Sequence, residues 1–265
     1  MIGIFDSGVG GLIIYQRIKK SLPWISFQYY SDHLHFPYGE KTDEQVLAYS
    51  TKISSFFVQQ GCKMIVVACN TATVTAIGRL RQMFPIPFVG IVPAVKPASA
   101  NGKNRKIAVL VTPLSAKSKQ YGLLLEAWRH GNTMDTFEMP DLASIVEYNR
   151  FHEDSTQQYL KTFFQKLQKN GYSVVVLGCT HFLYVKHYLD THFPDVFEVI
   201  DPIEGVAKQA KKVFLAISSQ DTANLKSVND DYYTSAEPSI LEHYLDYYLH
   251  ISKPIVKVIS FEKPT

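Results

Sequence analysis

The sequence predicts an α/β fold of two similar domains, in which mainly parallel sheets are flanked by helices and a cleft between the domains holds the active site. Short β-rich runs alternate with segments of helical periodicity along the whole chain, which is typical of right-handed βαβ units. Motifs of the first half also recur, in the same order, in the second half. Such an internal repeat indicates two units of similar topology.

The strands are predicted from short apolar runs. Several runs are apolar at every position, as expected for parallel strands that helices cover on both faces. The predicted strands are Ile2–Phe5, Phe27–Tyr30, Met64–Ala68, Phe88–Ile91, Ile107–Val111, Thr136–Met139, Val174–Leu177 and Phe197–Ile200.

The intervening segments carry helix start and stop signals. Thr42-Asp43-Glu44-Gln45 forms a capping-box pattern, and the helix that follows it ends at Gly61. Further helices are predicted over 115–130 and 155–170, each followed by a glycine. The tail predicts a helix at Val206–Ala216, a strand near Tyr232, a helix at Ser239–His250 and a strand at Ile255–Ile259.

The internal repeat also predicts the domain limits. "IGIFDSG" corresponds to "IAVLVTP", "VVACNT" to "VVLGCT" and "VGIVPAV" to "EVIDPIEGV", each at an offset of about 110 residues. We therefore predict a first α/β domain formed by residues 1–95 plus 205–265 and a second formed by residues 96–204.

Composition argues against several classes of protein. An apolar fraction of 46% and a charged fraction of 19% are normal for a globular chain that buries a core. The formal charge of +3 comes without basic clusters, so neither a nucleic-acid nor a membrane partner is predicted. The sequence shows no export signal and no apolar run of membrane length, and it contains only three cysteines. These features predict a cytoplasmic protein with reduced thiols.

Two cysteines occupy equivalent places in the repeat. Cys69 and Cys179 each follow a predicted strand and precede a helix and hydroxyl residues. Ligands bind at this end of parallel strands, and a helix N-terminus is expected to lower the pKa of a thiol there. If the domains face each other, one thiolate can take a proton from a carbon and the other thiol can return one to the opposite face. A lone buried cysteine is more often core filler, as we predict for Cys62, which has no counterpart.

Other motifs are weaker. Asp6-Ser7-Gly8-Val9-Gly10-Gly11 follows a strand and would let backbone approach an anion. It lacks both the G-x-G-x-x-G pattern and the Walker lysine, which disfavours nucleotide binding, and Asp6 is equally typical of a helix N-cap. Cys179-Thr180-His181 is a poor zinc motif, so no metal site is predicted; His181 is instead placed to tune Cys179.

Three further titratable residues are ambiguous from local sequence alone. His33 and His35 are predicted to be loop residues, and Glu147 follows no clear strand, which is typical of a solvated carboxylate.

Taken together, the motifs match one family. The chain resembles bacterial glutamate racemases through "GIFDSGVGGL", "PYGEKT", "VVACNTAT", "PFVGIVPA", "LGCTHF" and "YYTSAEPSILEHYLDYYL", and the likeness covers essentially the whole chain. The resemblance implies interconversion of L- and D-glutamate without any cofactor, neither pyridoxal phosphate nor metal, to supply D-glutamate for peptidoglycan synthesis. It also implies a homodimer with glutamate as its small-molecule partner.

The resemblance implies roles for individual residues. Cys69 would act on D-glutamate and Cys179 on L-glutamate as the two proton donor/acceptors. Asp6 and His181 match auxiliary acid/base positions, and Glu147 matches a further carboxylate. The positions that match substrate contacts are Ser7, Tyr38, Gly39, Asn70, Thr71, Thr73, Thr112 and Thr180.

The chain departs from the family pattern in its second half. The usual GCTHYP reads "GCTHFL", PxLVPLVE reads "PDLASIVE", and Thr-x-x-Thr-x-x-Ser becomes Thr112, Ser115 and Ser118. The chain starts at its first strand, so we expect no need for a cell-wall precursor as activator.

Two other hypotheses stay open. One is a relative that acts on aspartate, a hydantoin or a malonate; the other is a non-catalytic regulatory protein such as a gyrase-binding relative. A decarboxylase relative tends to keep one of the two cysteines, and a binding protein needs neither. The presence of both thiols therefore favours a racemase.

Overall fold

Two parallel sheets form the framework of the protein. The computed structural model describes residues 1–100, 102–218 and 229–261. Its strands are β1 Ile2–Asp6, β2 Phe27–Ser31, β3 Met64–Val67, β4 Phe88–Gly90, β5 Lys106–Val111, β6 Thr133–Glu138, β7 Val174–Leu177, β8 Glu198–Ile200, β9 Asp231–Thr234 and β10 Val256–Val258.

The sheet topology agrees with the predicted fold class. One sheet has the order β10-β9-β2-β1-β3-β4 and the other the order β6-β5-β7-β8, and the strands pair in parallel throughout the described residues. The prediction of an α/β fold with two parallel sheets is confirmed. The two tail strands lie in the same sheet as β1, and the exact domain limits stay a prediction.

Helices flank both sheets. They are α1 Leu12–Ser21, α2 Asp43–Gln59, α3 Asn70–Met83, α4 Val95–Ala100, α5 Pro113–Lys117, α6 Lys119–Trp128, α7 Leu142–Glu147, α8 Asp154–Lys169, α9 Val185–His192, α10 Ile203–Ile217 and α11 Ser239–Leu249. Thr42 forms the predicted capping box with Gln45 at the start of α2. Gly61 and Gly171, just beyond α2 and α8, adopt φ values of +82° and +78°, as predicted for helix C-termini.

The prediction of one helix over 115–130 is wrong. Two helices, α5 and α6, occupy this stretch, and Ser118 between them has an extended backbone with φ −69° and ψ 131°. Thr112 caps α5 by accepting a hydrogen bond from the N–H of Ser115, and Pro113 stands in its first turn. The short helix α5 therefore holds Thr112 and Ser115 at the carboxyl end of β5.

Alternate residues of the central strands enter different apolar clusters. Ile4 and Val66 belong to one cluster, whereas Phe5 and Val67 belong to another on the opposite face of the sheet. The first cluster continues into the second sheet through Leu110. This shared core holds the two sheets together and so fixes the carboxyl ends of their strands relative to each other. No described helix is both long and apolar enough to cross a membrane.

Candidate active site

The candidate site lies where the ends of central strands from both sheets meet. Asp6 ends β1, Cys69 follows β3, and Cys179 follows β7. The hydroxyl of Thr180 donates a 2.9 Å hydrogen bond to Oδ2 of Asp6. Burial is the largest cause of the raised pKa of Cys69, and a charge on Cys179 adds a smaller contribution in the same direction, which indicates that the two thiols lie near each other.

Cys69 is the N-cap residue of α3. Its Sγ accepts a 3.5 Å hydrogen bond from the N–H of Ala72 and lies 4.0 Å from Oγ of Ser7. The thiol is 5% exposed. Burial raises the pKa of Cys69, and the nearby charge of Asp6 raises it further; the hydrogen bond from Ala72 acts in the opposite direction but is weaker. The predicted lowering of this pKa is therefore wrong for Cys69, because desolvation of the thiolate outweighs the helix terminus.

Cys179 has an imidazole partner. Its Sγ lies 4.0 Å from Nδ1 of His181, and the thiol is 6% exposed. The chain after it forms a 3₁₀-helix, His181–Tyr184, before α9 begins, so the predicted helix start is a tighter turn. That turn brings the His181 ring back beside the sulfur.

Glu147 links two histidines. Its Oε2 accepts hydrogen bonds from Nε2 of His181 at 2.7 Å and from the N–H of Val9 at 2.9 Å, and its Oε1 lies 2.7 Å from Nδ1 of His33. The carboxylate side chain is fully buried. The alternative interpretation of Glu147 as a solvated carboxylate is thus wrong. His33, predicted to be a plain loop residue, contacts the site.

These contacts shift the titration of both partners. Burial alone would raise the pKa of Glu147, but hydrogen bonds from His181 and His33 hold it at about 2. Burial alone would lower the pKa of His181, but its hydrogen bonds to Cys179 and Glu147 and the charge of that carboxylate keep it well above its ordinary value. The pair is therefore a carboxylate and an imidazolium near neutral pH.

The glycine-rich loop after β1 packs directly on this pair. A Cβ at Gly8 would lie 2.7 Å from Cδ of Glu147, and one at Gly10 would lie 2.5 Å from Nδ1 of His181. The N–H of Gly8 donates to Oδ1 of Asp6 at 3.0 Å. Burial raises the pKa of Asp6 despite this bond and the charge of His181. The loop thus serves close approach to protein groups, in addition to any bound anion.

Hydroxyl groups form a second cluster between the sheets. Oγ1 of Thr71 lies 2.9 Å from Oγ1 of Thr112 and 3.3 Å from Oγ of Ser115, and Thr112 donates to Ser115 at 2.9 Å. A Cβ at Gly39 would lie 2.8 Å from Cβ of Thr112, so the loop before α2 closes on this cluster. Ser115 was absent from the predicted site, although its spacing from Thr112 was a usable signal.

Other predicted contact residues have separate surroundings. Tyr38 is buried and donates a 2.5 Å hydrogen bond to Oδ2 of Asp32. The Oγ1 of Thr73 donates to the carbonyl of Val67 and accepts from the N–H of Ile91, so the structure places it against the strand ends of the first sheet and not in the hydroxyl cluster.

Asn70 carries buried side-chain atoms whose hydrogen-bonding capacity is unused. Within residues 1–100, 102–218 and 229–261, neither Oδ1 nor Nδ2 of Asn70 has a protein partner. Such a group is costly to bury unless a ligand or water completes it. The same residues contain no cluster of three or more His, Cys, Asp or Glu side chains that could hold a metal ion.

Comparison with known proteins identifies the family. Residues 20–210 match the Asp/Glu/hydantoin racemase family. The glutamate racemase of Halothermothrix orenii is 36% identical over 254 residues, which is 96% of this chain and 99% of that protein. The chain belongs to the Asp/Glu/hydantoin racemase family. The resemblance to glutamate racemases predicted from the sequence is confirmed.

Solved structures of family members match this chain over nearly its full length. A glutamate racemase isoform from Bacillus anthracis matches with a TM-score of 0.85 at 26% identity, covering 98% of this chain and 97% of that one. The Escherichia coli glutamate racemase, solved with L-glutamate and the activator UDP-MurNAc-ala, matches with a TM-score of 0.84 at 27% identity and the same coverage. This racemase therefore has the two-domain fold of these enzymes.

Proposed function

We propose that this racemase interconverts L- and D-glutamate without a cofactor, using Cys69 and Cys179 as the two acid/base groups. The observation that carries the proposal is the convergence of the two strand-end thiols: Asp6 beside Cys69 is hydrogen-bonded to Thr180, the neighbour of Cys179. Each thiol comes from a different sheet. Two such groups on opposite sides of one carbon can invert it by removing a proton from one face and adding a proton to the other.

The reaction balances without an external reactant. With L-glutamate, the Cys179 thiolate removes the Cα proton and forms an S–H bond, while the electron pair of the broken C–H bond stays on Cα. The Cys69 thiol then gives its proton to the other face of Cα and becomes a thiolate. The enzyme is left in the protonation state that D-glutamate requires, so the reverse reaction uses the same groups in exchanged roles.

The surroundings of the thiols differ in a way that suits this exchange. His181, held by Glu147, supplies a positive charge and a proton donor beside Cys179. Cys69 has the N–H of Ala72 and the hydroxyl of Ser7, with Asp6 as the nearby carboxyl group. We infer that Asp6 and His181 are the auxiliary acid/base groups.

Glutamate is the substrate that the polar groups favour. Its two carboxylates need two separate sets of donors. The amide of Asn70, which has no partner among the described residues, and the hydroxyl of Ser7 lie beside Cys69. The cluster of Thr71, Thr112 and Ser115 forms a second donor set. The relatives reported above are named as glutamate racemases. We assign Tyr38, Gly39 and Thr180 to the same pocket on the family pattern. Thr73 is not assigned to it, because its hydroxyl bonds to Val67 and Ile91.

The proposed cellular role follows from the product of the reaction. D-glutamate is used to build peptidoglycan, so we propose a role in cell-wall biogenesis, a cytoplasmic location and a homodimer. The three cysteines are free and buried, which is consistent with a reducing compartment.

The test is direct conversion of each isomer. The purified, reduced protein is incubated with L-glutamate or D-glutamate, and the ellipticity is followed until it reaches that of the racemate. Aspartate and 5-substituted hydantoins serve as parallel substrates, and EDTA is added in a further arm. We expect conversion of glutamate in both directions, at least about 100-fold slower conversion of the others, and no effect of EDTA. Preferential conversion of aspartate or a hydantoin, or no conversion at all, would reject glutamate as the substrate.

A further inference from the structure

We infer that His33 is a positioning residue for proton transfer at Cys179: it fixes Glu147, which in turn holds His181 beside the sulfur. This inference rests on the proposed racemase function and adds a residue to which that proposal assigns no role. His33 lies outside the residues whose roles the family resemblance implies. It comes from the first sheet's side of the site, whereas Glu147 and His181 come from the second.

The contacts of Glu147 divide its two oxygens between different tasks. Oε2 is shared by His181 and the N–H of Val9, whereas Oε1 meets Nδ1 of His33 at 2.7 Å. An ionised carboxylate is an acceptor only, so Nδ1 of His33 must carry a proton. Both the imidazolium and the neutral Nδ1–H tautomer satisfy this condition. The contact therefore persists whichever charge His33 carries.

His33 is itself held in place on several sides. Its ring stacks on Phe36 at 5.9 Å with an interplanar angle of 5° and meets the edge of Tyr148 at 6.0 Å. The N–H of Asp32 donates to the carbonyl of Asp6 at 2.9 Å, and that of Leu34 donates to Oγ of Ser235 at 2.9 Å. The histidine thus offers a preorganised donor to Glu147, and rotation of the carboxylate away from His181 would break this contact.

The arrangement acts on one thiol only. The series His33, Glu147 and His181 ends at Sγ of Cys179, 4.0 Å from Nδ1 of His181. The contacts of Cys69 are instead with Ser7 and the N–H of Ala72. Loss of the His33 donor should therefore raise the barrier for transfer at Cys179 and leave transfer at Cys69 largely unchanged.

Primary deuterium isotope effects separate the two sides. Because the equilibrium constant of a racemase is one, kcat/KM is equal in both directions for every variant and cannot show an asymmetry. Slower transfer at Cys179 makes removal of the α-deuteron of L-glutamate more rate-limiting. It makes removal of the α-deuteron of D-glutamate, by Cys69, less rate-limiting. The two isotope effects should therefore move in opposite directions.

The test compares three kinds of variant. His33→Phe and His33→Ala remove the donor, the first with a ring retained; His33→Asn keeps an N–H donor at a position similar to Nδ1. His152→Ala removes an exposed histidine and is the matched control. We expect the donor-less variants to lose about 10- to 100-fold in kcat, with a larger isotope effect from α-deuterated L-glutamate and a smaller one from the D-isomer. His33→Asn should restore most of the activity and the wild-type isotope pattern.

The outcomes are distinguishable. Unchanged kcat, or isotope effects that shift equally for both isomers, would overturn the role of His33 while leaving the racemase function in place. Failure of both donor-less variants to fold, judged by circular dichroism, would make His33 a structural residue and also overturn it. If the wild-type protein does not interconvert the isomers, the proposed function itself fails.

Discussion

The hydroxyl of Thr180 donates a 2.9 Å hydrogen bond to the carboxyl group of Asp6, and this bond joins the ends of β7 and β1. Each partner lies beside one of the two thiols. Thr180 follows Cys179, and Asp6 is close enough to Cys69 to add to the rise in pKa that burial causes. Thr180, which follows a strand of the second sheet, thereby orients Asp6, the carboxyl group beside the thiol of the first sheet. The site consequently depends on both sheets at once.

The first prediction concerns the thiols. Cys69→Ala and Cys179→Ala should each lower racemisation of glutamate by at least about 1,000-fold, because one face of Cα then lacks its acid/base group. Cys62→Ala is the matched control: Cys62 is also buried, but its Sγ contacts Oε1 of Gln28. The control should keep its kcat. Steady-state rates in both directions measure the effect, and near-normal turnover in either active-site variant would refute the assignment.

The second prediction concerns the hydroxyl cluster. Thr71→Val removes the hydroxyl that meets Thr112 and Ser115, and it should raise KM for glutamate about 10- to 100-fold through loss of a hydrogen bond to a carboxylate. Thr191→Val is the control, since Thr191 is exposed and its hydroxyl donates to the carbonyl of His187 within α9. Initial-rate kinetics give the KM for glutamate of both variants. Equal KM values would place the substrate carboxylate elsewhere.

The third prediction concerns the glycine-rich loop. A Cβ at Gly8 would lie 2.7 Å from Cδ of Glu147, so Gly8→Ala should displace that carboxylate, lower kcat by at least about tenfold and cost roughly 1–3 kcal/mol of stability. Gly122→Ala provides the contrast: nothing lies within 4 Å of a Cβ there, inside α6. It should stabilise by about 0.5–1 kcal/mol at unchanged kcat. Thermal denaturation and kinetics check both, and full activity in Gly8→Ala would contradict the close packing.

The fourth prediction concerns stability and pH. The pKa of buried Glu147 falls from 4.5 to about 2 on folding, so its stabilisation is complete above pH 4.5 and is lost as pH falls towards 2. The pKa of His181 rises above 6.5, so its stabilisation is complete below pH 6.5 and is lost as pH rises through the folded-state value.

Glu147→Gln should therefore flatten both limbs of the stability profile. The acid limb should lose roughly 3 kcal/mol of pH-dependent stability relative to the wild type. Urea unfolding at a series of pH values measures the difference. Profiles that run parallel for the two proteins would show that the ion pair does not form.

The thiols and the fold could be predicted because their signals are local. Apolar runs with turn residues define the strands, and parallel strands present their carboxyl ends at one edge. The placement of Cys69 and Cys179 at strand ends can therefore be predicted from sequence position alone. The break at Ser118 could not be predicted in this way. Helical periodicity continues across it, and the hydroxyl of Ser118 donates to the carbonyl of Val74 in α3, a contact distant in sequence.

The contacts of Glu147 with histidines could not be predicted for a different reason. Glu147 and His33 are 114 residues apart, and neither has a pattern around it that shows its partner. The predicted direction of the Cys69 pKa shift was also wrong. The helix N-terminus can be recognised in the sequence, whereas the burial that opposes its effect depends on packing between the two sheets.

The central claim is that two different thiols serve the two faces of one carbon, and transfer of label in D₂O tests it most directly. Wild-type enzyme is incubated with protiated L-glutamate, and separately with D-glutamate, and product and recovered substrate are analysed by mass spectrometry and NMR over the first few per cent of conversion. Two thiols predict that every product molecule carries deuterium at Cα. The thiol that delivers this deuteron exchanges with D₂O and never receives the α-proton of the substrate. Product that retains the original α-proton would mean a single group acting on both faces, and would contradict the account.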